Sequence, residues 1–243
     1  MKKMTKGFTL VELLVVIGIL GILMGTLYPA ISSAMTKVNM NTVAMNGRKI
    51  VQGIIAGNTE RSGKGKETLW PHNDENDGKT KDADDIAGMT FGTSTEYFKE
   101  LFDIQHQTSS DEWMPYIEGY EANWLAGAGV PPAQPGQLNA ENNAWTVVSG
   151  LTGEMGDFLP VMVSRNAATS EFAKSGQNDM STQTTRIKLG ETYPQPFGKN
   201  GCVIVYKGGA AQSFKARDCR LKDIYNSNSF SIPDKITLKY IEP

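Results

Sequence analysis

The sequence places one carboxylate, Glu12, inside an almost purely apolar run of 21 residues from Phe8 to Tyr28. About 20 apolar residues are what an α-helix needs to cross the hydrocarbon of a bilayer. A charged side chain inside such a span costs about 3 kcal/mol on insertion scales unless it is paired, so its presence indicates a function. The chemistry available to Glu12 is therefore ion pairing with a cation that reaches it at the membrane.

A short basic leader precedes this run, with three lysines between Met1 and Lys6. Gly7 and Phe8 follow the leader, and Glu12 is the fifth residue counted from Phe8. Together these residues resemble the N-terminal signal of type IV pilins and of the pseudopilins of type II secretion systems. The resemblance is dense over residues 6–31. It implies that a membrane prepilin peptidase cleaves between Gly7 and Phe8, and that the new amino group of Phe8 is then methylated.

The resemblance also implies roles for Glu12 and Pro29. In the family, the glutamate of an incoming subunit pairs with the amino terminus of a neighbour already in the fibre, and an unpaired charge there would be costly. Pro29 matches the usual position of a proline that bends the helix, and it removes one helical hydrogen bond. A secretory signal peptide and a plain membrane anchor, with Glu12 reaching the interface, are the alternatives; neither needs an acid within the span.

The charge distribution predicts the topology. The leader is basic and no comparable basic run follows the span, which places the N-terminus in the cytoplasm by the positive-inside rule. The chain would be a single-pass inner-membrane protein with a periplasmic domain, or part of an extracellular fibre if it is a pilin. The net charge is −2, and without the three leader lysines 21 basic side chains face 26 acidic ones, giving −5. This balance argues against nucleic acid as a partner.

The apolar pattern continues beyond the span at intervals of mostly three and four residues, which is typical of one helical face. We therefore predict a continuous helix from Phe8 to Ala56, ended by Gly57 and the polar residues after it. The predicted segments are a leader at 1–7, a transmembrane helix at 8–28, an amphipathic helix at 29–57 and a globular α+β domain at 58–243. The predicted apolar face comprises Ile31, Ala34, Met35, Val38, Val43, Met45, Ile50, Val51, Ile54 and Ile55.

The expected fold is α+β, with a long N-terminal helix, transmembrane and then amphipathic, packed on a C-terminal antiparallel β-sheet with loop insertions, as in pilins. Thr93 and Glu96 form a capping-box signature, which predicts a short buried helix at Thr93–Asp103. Gly208-Gly209 lies between two β-rich runs and predicts a two-residue hairpin. The predicted strands are Phe158–Val163, Arg186–Leu189, Gly201–Lys207, Ala211–Lys215 and Lys235–Ile241.

Cys202 and Cys219 are the only cysteines. An exported domain meets an oxidising compartment, so a disulfide between them is one interpretation and two separate thiols are the other. In the predicted hairpin register Cys202 faces Lys215. Three aromatic residues are predicted to be core residues that anchor an ordered loop, with a ligand-binding platform as the alternative: Trp113, Trp124 and Trp145.

Asn73, Glu75, Asp77 and Asp84 loosely imitate a calcium-binding loop. The first and last of these positions depart from the usual Asp and Glu, so a solvated acidic loop is the competing interpretation. Calcium is a candidate ligand, and no cofactor is required. The two histidines lie in loop-like contexts and no nucleophile–base motif is present, so we do not expect an enzyme.

The resemblance implies a prepilin-like subunit that assembles into a type II secretion pseudopilus for protein export. Its partners would be copies of itself or other pseudopilins, the prepilin peptidase, the inner-membrane assembly platform with its ATPase, and membrane lipid. A type IV pilin or minor pilin for adhesion or motility is the first alternative. A membrane-anchored module that binds carbohydrate or protein through its tryptophans and acidic loop is the second.

Overall fold

The structure is a computed structural model that describes residues 8–71, 86, 89–103, 106–107, 113–114, 117, 122–132, 137–151, 155–170, 172, 184–225 and 238–243. Two compact units are present, Met1–Val38 and Asn39–Pro243. The helices are α1 (Leu10–Gly63), α2 (Ser94–Phe98), which a π-helical turn continues at Lys99–Asp103, and α3 (Leu221–Tyr225). The strands are β1 (His106–Gln107), β2 (Trp113–Met114), β3 (Trp145–Ser149), β4 (Pro160–Ser164), β5 (Gly201–Tyr206), β6 (Ala211–Lys215) and β7 (Lys239–Ile241).

The first unit contains the N-terminal part of α1. All side chains from Phe8 to Met35 are exposed, including the large apolar ones. By length and composition, α1 is able to cross a membrane. Pro29 lies within the helix, which is continuous on both sides of it, so the predicted bend there stays a prediction.

Helix α1 ends at Gly63 rather than at Ala56, which corrects the predicted boundary. The amide of Lys66 donates to the Arg61 carbonyl at 3.0 Å, and the amide of Gly65 donates to the Ser62 carbonyl at 3.1 Å. These two bonds form a Schellman motif, in which Gly65 adopts a positive φ of 67°. Gly57 was the wrong stop signal, because the glycine that ends a helix is the one that takes up this left-handed conformation.

The second unit is built on a five-stranded sheet in the order β6-β5-β4-β3-β7, and every neighbouring pair is antiparallel. This confirms the predicted α+β fold. Strand β3 was not predicted, and β4 starts two residues later than expected. The predicted strand at Arg186–Leu189 is wrong, because Arg186 and Leu189 make only isolated bridges, to Arg220 and Ala167.

The second part of α1 packs on this sheet at Gly47. A Cβ atom added to Gly47 would lie 2.6 Å from both the Trp145 ring and the Val205 side chain, so the helix backbone approaches β3 and β5 closely. Val43, Ile50, Val51 and Ile54 of the predicted face are buried, and they are joined by three unpredicted residues, Met40, Ala44 and Gly47.

Five other members of the predicted face are exposed: Ile31, Ala34, Met35, Val38 and Met45. Ile55 is 37% exposed. Within the second unit, helical geometry explains why Met45 is exposed. Successive residues are rotated by about 100°, so Met45 points away from the stripe that contains Ala44 and Gly47. The surface of α1 that is buried on the sheet therefore covers a narrower arc of the helix than the predicted apolar face does.

Strands β5 and β6 form the predicted hairpin, but its loop has three residues instead of two. The amide of Tyr206 donates to the Ala210 carbonyl, and Gly209, with φ of 83°, closes a turn by donating to the Tyr206 carbonyl. A turn followed by a left-handed glycine is the usual three-residue hairpin loop. The register shifts accordingly, so Cys202 faces Phe214 and not Lys215.

The far face of β5 is covered by the segment that contains Cys219 and α3. Cys202 is disulfide-bonded to Cys219. The hydroxyl of Tyr206 donates to the Ile224 carbonyl at 2.5 Å. Because side chains alternate along a strand, Cys202 and Tyr206 project away from the face on which Val205 meets α1. Strand β5 is therefore buried on both faces.

Helix α2 begins with the predicted capping box. The Thr93 hydroxyl accepts from the Glu96 amide, and the Glu96 carboxylate accepts from the Thr93 amide. Tyr97, Phe98, Leu101 and Phe102 are buried, as their spacing predicts. The start of the element is thus fixed by its local sequence, and its apolar face is buried in the core.

Candidate processing and assembly site

A second capping box stands at the start of α1 and contains the predicted assembly residue. The backbone amide of Thr9 donates to Glu12 Oε2 at 2.8 Å, and the Thr9 hydroxyl donates to the same oxygen at 2.6 Å. In return the Glu12 amide donates to Thr9 Oγ1 at 3.3 Å. Thr9 is therefore the N-cap residue and Glu12 is the third residue of the helix.

This box determines where the helix begins. Helical structure starts at Leu10, so Phe8 lies outside the helix, one residue before the cap. The first amides of a helix have no partner within it, and the partial positive charge they create favours a carboxylate in the first turn. Glu12 therefore has a local structural role in addition to the assembly role that the resemblance implies.

Thr9 was missed by the sequence analysis, although the signal was present. The pattern Thr-x-x-Glu at residues 9–12 is the same signature that correctly located Thr93 and Glu96. In the N-terminal segment the cost of a carboxylate in a membrane points to pairing with another chain. The hydrogen bonds that Thr9 makes to Glu12 follow instead from the spacing of the two residues.

The side chains around this box offer no other polar partner among the described residues. Phe8 is 78% exposed and Leu10 is 80% exposed. Leu13 and Leu14 are exposed as well. The box is thus a single polar feature at the head of an apolar helix surface that has nothing packed on it within the described part of the chain.

The predicted calcium ligands Asn73, Glu75, Asp77 and Asp84 lie outside the described residues. Among the residues that are described, no group of three or more His, Cys, Asp or Glu side chains could hold a metal ion.

The tryptophans behave mainly as core residues. Trp145 is fully buried, and its indole N–H donates to the Trp124 carbonyl at 3.2 Å. Trp124 is half-buried, and the Lys49 ammonium lies 5.4 Å from the centre of its ring. Trp113 is in β2, but its side chain is not described. The burial of Trp145 confirms the core interpretation for that residue and weighs against a shared binding platform.

The perturbed charged groups of the second unit have structural explanations. Burial lowers the pKa of the Lys207 ammonium, which donates to the Met155 carbonyl at 2.6 Å, although the nearby Asp157 opposes the shift. Burial lowers the pKa of Arg165, whose guanidinium donates hydrogen bonds to the Ala140 and Asn143 carbonyls. Burial raises the pKa of the Glu100 carboxyl. None of these groups is paired with a nucleophile in the described structure.

Comparison with protein families matches residues 2–28 to the prokaryotic N-terminal methylation motif. The match contains Gly7, Phe8, Thr9 and Glu12 and ends just before Pro29. No curated protein and no solved structure matches the chain.

Proposed function

We propose that this chain is a subunit of a type II secretion pseudopilus. It contains a prokaryotic N-terminal methylation motif, which is consistent with a type IV pilin-like, prepilin-type protein. The observation that supports this proposal most is the combination of the motif with an exposed apolar helix headed by one carboxylate. The precursor is cleaved after Gly7, methylated at Phe8 and assembled with further copies of itself or with related subunits.

The chemistry of assembly follows from the charges at the mature N-terminus. Cleavage between Gly7 and Phe8 creates a cationic amine four residues before the Glu12 carboxylate. In hydrocarbon, each of these charges is costly without a partner. The Phe8 amine of one copy pairs with Glu12 of the next, so that only the register that joins them is favourable.

The apolar surface of α1 supports the same proposal. Side chains such as Leu13, Ile17 and Leu20 have no partner within the described structure. A large apolar surface of this kind is stable in lipid or against other apolar helices. Before assembly the helix is an inner-membrane anchor with its leader in the cytoplasm and its folded domain in the periplasm. During assembly its neighbours become the helices of other copies.

The chain would be a substrate and a subunit and not a catalyst. Its partners are the prepilin peptidase, the inner-membrane assembly platform with its ATPase, and membrane lipid. No cofactor is needed for this role. Calcium at Asn73, Glu75, Asp77 and Asp84 stays a prediction.

A type IV pilin or minor pilin for adhesion or motility is the second candidate. The size of the second unit, Asn39–Pro243, favours a specialised or tip-located subunit over a small repeating one. A membrane-anchored binding module is less well supported, because Trp145 belongs to the core.

A pull-down between two differently tagged copies in the native host tests assembly. Glu12→Gln should reduce recovery of the second copy by at least about tenfold if a charge pair in the membrane is lost. Glu60→Gln is the matched control, since Glu60 is also an exposed glutamate of α1 but pairs within its own helix, with Lys64 at 2.6 Å. Equal recovery for all three chains would contradict the proposal.

A deletion strain then separates the two candidates. Loss of exported proteins from the culture medium, with surface fibres intact, would support the secretion pseudopilus. Loss of surface fibres, with export intact, would replace it with the pilus.

A further inference from the structure

The capping box at the start of α1 engages only one of the two oxygens of the Glu12 carboxylate. Both Thr9 donors, the backbone amide at 2.8 Å and the hydroxyl at 2.6 Å, converge on Oε2. Oε1 has no hydrogen bond to any residue that the structure describes. A carboxylate has lone pairs on both oxygens, so Oε1 keeps its full capacity to accept from a cation.

We propose that Thr9 is a positioning residue for assembly, which fixes Glu12 through Oε2 and leaves Oε1 to receive the Phe8 amine of another copy. This inference rests on the proposed function, because it requires that copies pair through Glu12. It adds a role for Thr9, whose two hydrogen bonds orient the Glu12 carboxylate, to the proposed pairing of charges.

The physical basis is preorganisation. A glutamate side chain has several rotatable bonds, and immobilising such a side chain on binding lowers affinity by about two- to tenfold. In the box, two bonds from Thr9 already hold the carboxylate before a second copy arrives. The entropy cost of ordering the Glu12 side chain is then met when the first helical turn forms, and not when a second copy binds. The partly positive end of the helix favours the carboxylate there.

The capping box at the start of α2 provides an internal comparison. The Glu96 carboxylate accepts from the Thr93 and Gly92 amides, both through Oε2, at the start of a buried helix. Its structural role is to end the loop and start α2. The Thr9 box has the same two reciprocal bonds between threonine and glutamate, but its second donor to the carboxylate is the Thr9 hydroxyl instead of a preceding amide. It also stands on a helix whose neighbouring apolar side chains are exposed.

The test uses the full-length chain in host membranes and the pull-down between tagged copies, normalised to the amount of chain whose N-terminus is Phe8. Thr9→Val removes the hydroxyl at nearly constant shape, and Thr9→Ser restores it. We expect a two- to tenfold loss of recovery with Thr9→Val and recovery within about twofold of the natural chain with Thr9→Ser. In a Glu12→Gln background, Thr9→Val should cause no further loss, because Thr9 acts through Glu12.

A second measurement does not depend on the peptidase or on assembly. In the detergent-solubilised chain, amide hydrogen exchange at Thr9 should be faster in Glu12→Ala, because that amide loses its acceptor. The exchange rate at Thr93 should be unchanged. Unaltered exchange at Thr9 would overturn the inference by showing that the box is not formed.

The outcomes separate the inference from the function on which it rests. If Glu12→Gln abolishes recovery but Thr9→Val does not change it, Thr9 has no positioning role and the proposed function stands. If Thr9→Ser fails as badly as Thr9→Val, the hydroxyl is not the relevant group and the inference is overturned. If Glu12→Gln has no effect, the proposed pairing fails, and the positioning role fails with it.

Discussion

Both parts of helix α1 are rich in apolar residues, but only the second part buries them. From Phe8 to Met35 every side chain is exposed. From Met40 to Ile54 a stripe of seven residues is buried in the second unit. One part of the helix thus contributes to the core of a folded domain, and the other presents exposed apolar side chains and is able, by length and composition, to cross a membrane.

This difference shows that the folded domain depends on the second part of α1, whereas the first part is free for the assembly role that we propose. Substitutions in the second part should change the free energy of unfolding of the domain. Substitutions in the first part should leave it unchanged and act on insertion or assembly. All four tryptophans, at positions 70, 113, 124 and 145, belong to the second unit. Tryptophan fluorescence during urea unfolding of the full chain in detergent thus reports on the domain alone.

The largest effect is expected for Ile50→Ala. Ile50 is fully buried, and truncation of such a side chain costs about 2–5 kcal/mol through lost burial and the cavity left behind. Ile17→Ala is the matched control, because Ile17 is 59% exposed in the first part of the helix. Urea unfolding should show a large loss for Ile50→Ala and less than about 0.5 kcal/mol for Ile17→Ala. Similar losses of unfolding free energy for both variants would contradict the claim that only the second part of α1 stabilises the domain.

An intermediate effect is expected for Gly47→Ala. The new methyl group would lie 2.6 Å from Trp145 and Val205, so the helix must move or the core must repack. Overpacking of this kind typically costs about 1–3 kcal/mol. Gly21→Ala is the control, since nothing lies within 4 Å of the added atom. If Gly47→Ala is neutral in urea unfolding, the close approach of α1 to the sheet is wrong.

The smallest effect is expected for the Thr9 and Thr93 capping boxes, which sharpen the comparison because in each a threonine and a glutamate cap the start of a helix. Thr93→Ala removes the cap of α2 and should lower the free energy of unfolding by about 1 kcal/mol. Thr9→Ala removes the corresponding cap of α1 and should leave domain unfolding unchanged. A loss of domain stability with Thr9→Ala would show that the start of α1 contributes to the folded domain.

The parts of the fold that could be predicted are those fixed by local sequence. Thr93 and Glu96 locate α2 because a capping box involves residues only three apart. The hairpin of β5 and β6 follows from Gly208-Gly209 for a similar reason. Its register could not be predicted, because it depends on which glycine adopts the left-handed conformation, and that residue is Gly209.

Features determined by packing could not be predicted. Strand β3 is buried on both faces and lacks the alternation that marks a half-exposed strand, so its Trp-Thr-Val-Val-Ser sequence gave no clear period. Helical spacing equally admits Met45 and Ala44, but only contact with the sheet decides that Ala44 is buried. In the N-terminal site, Gly7, Phe8 and Glu12 were recognised through a resemblance, whereas Thr9 required attention to hydrogen bonds.

The mass of the N-terminal peptide of the protein from native host membranes tests the central claim most directly. The account predicts a peptide that begins at Phe8 and is heavier by one methyl group. A terminus at Met1 would contradict it, since Glu12 would then have no neighbouring Phe8 amine with which to pair.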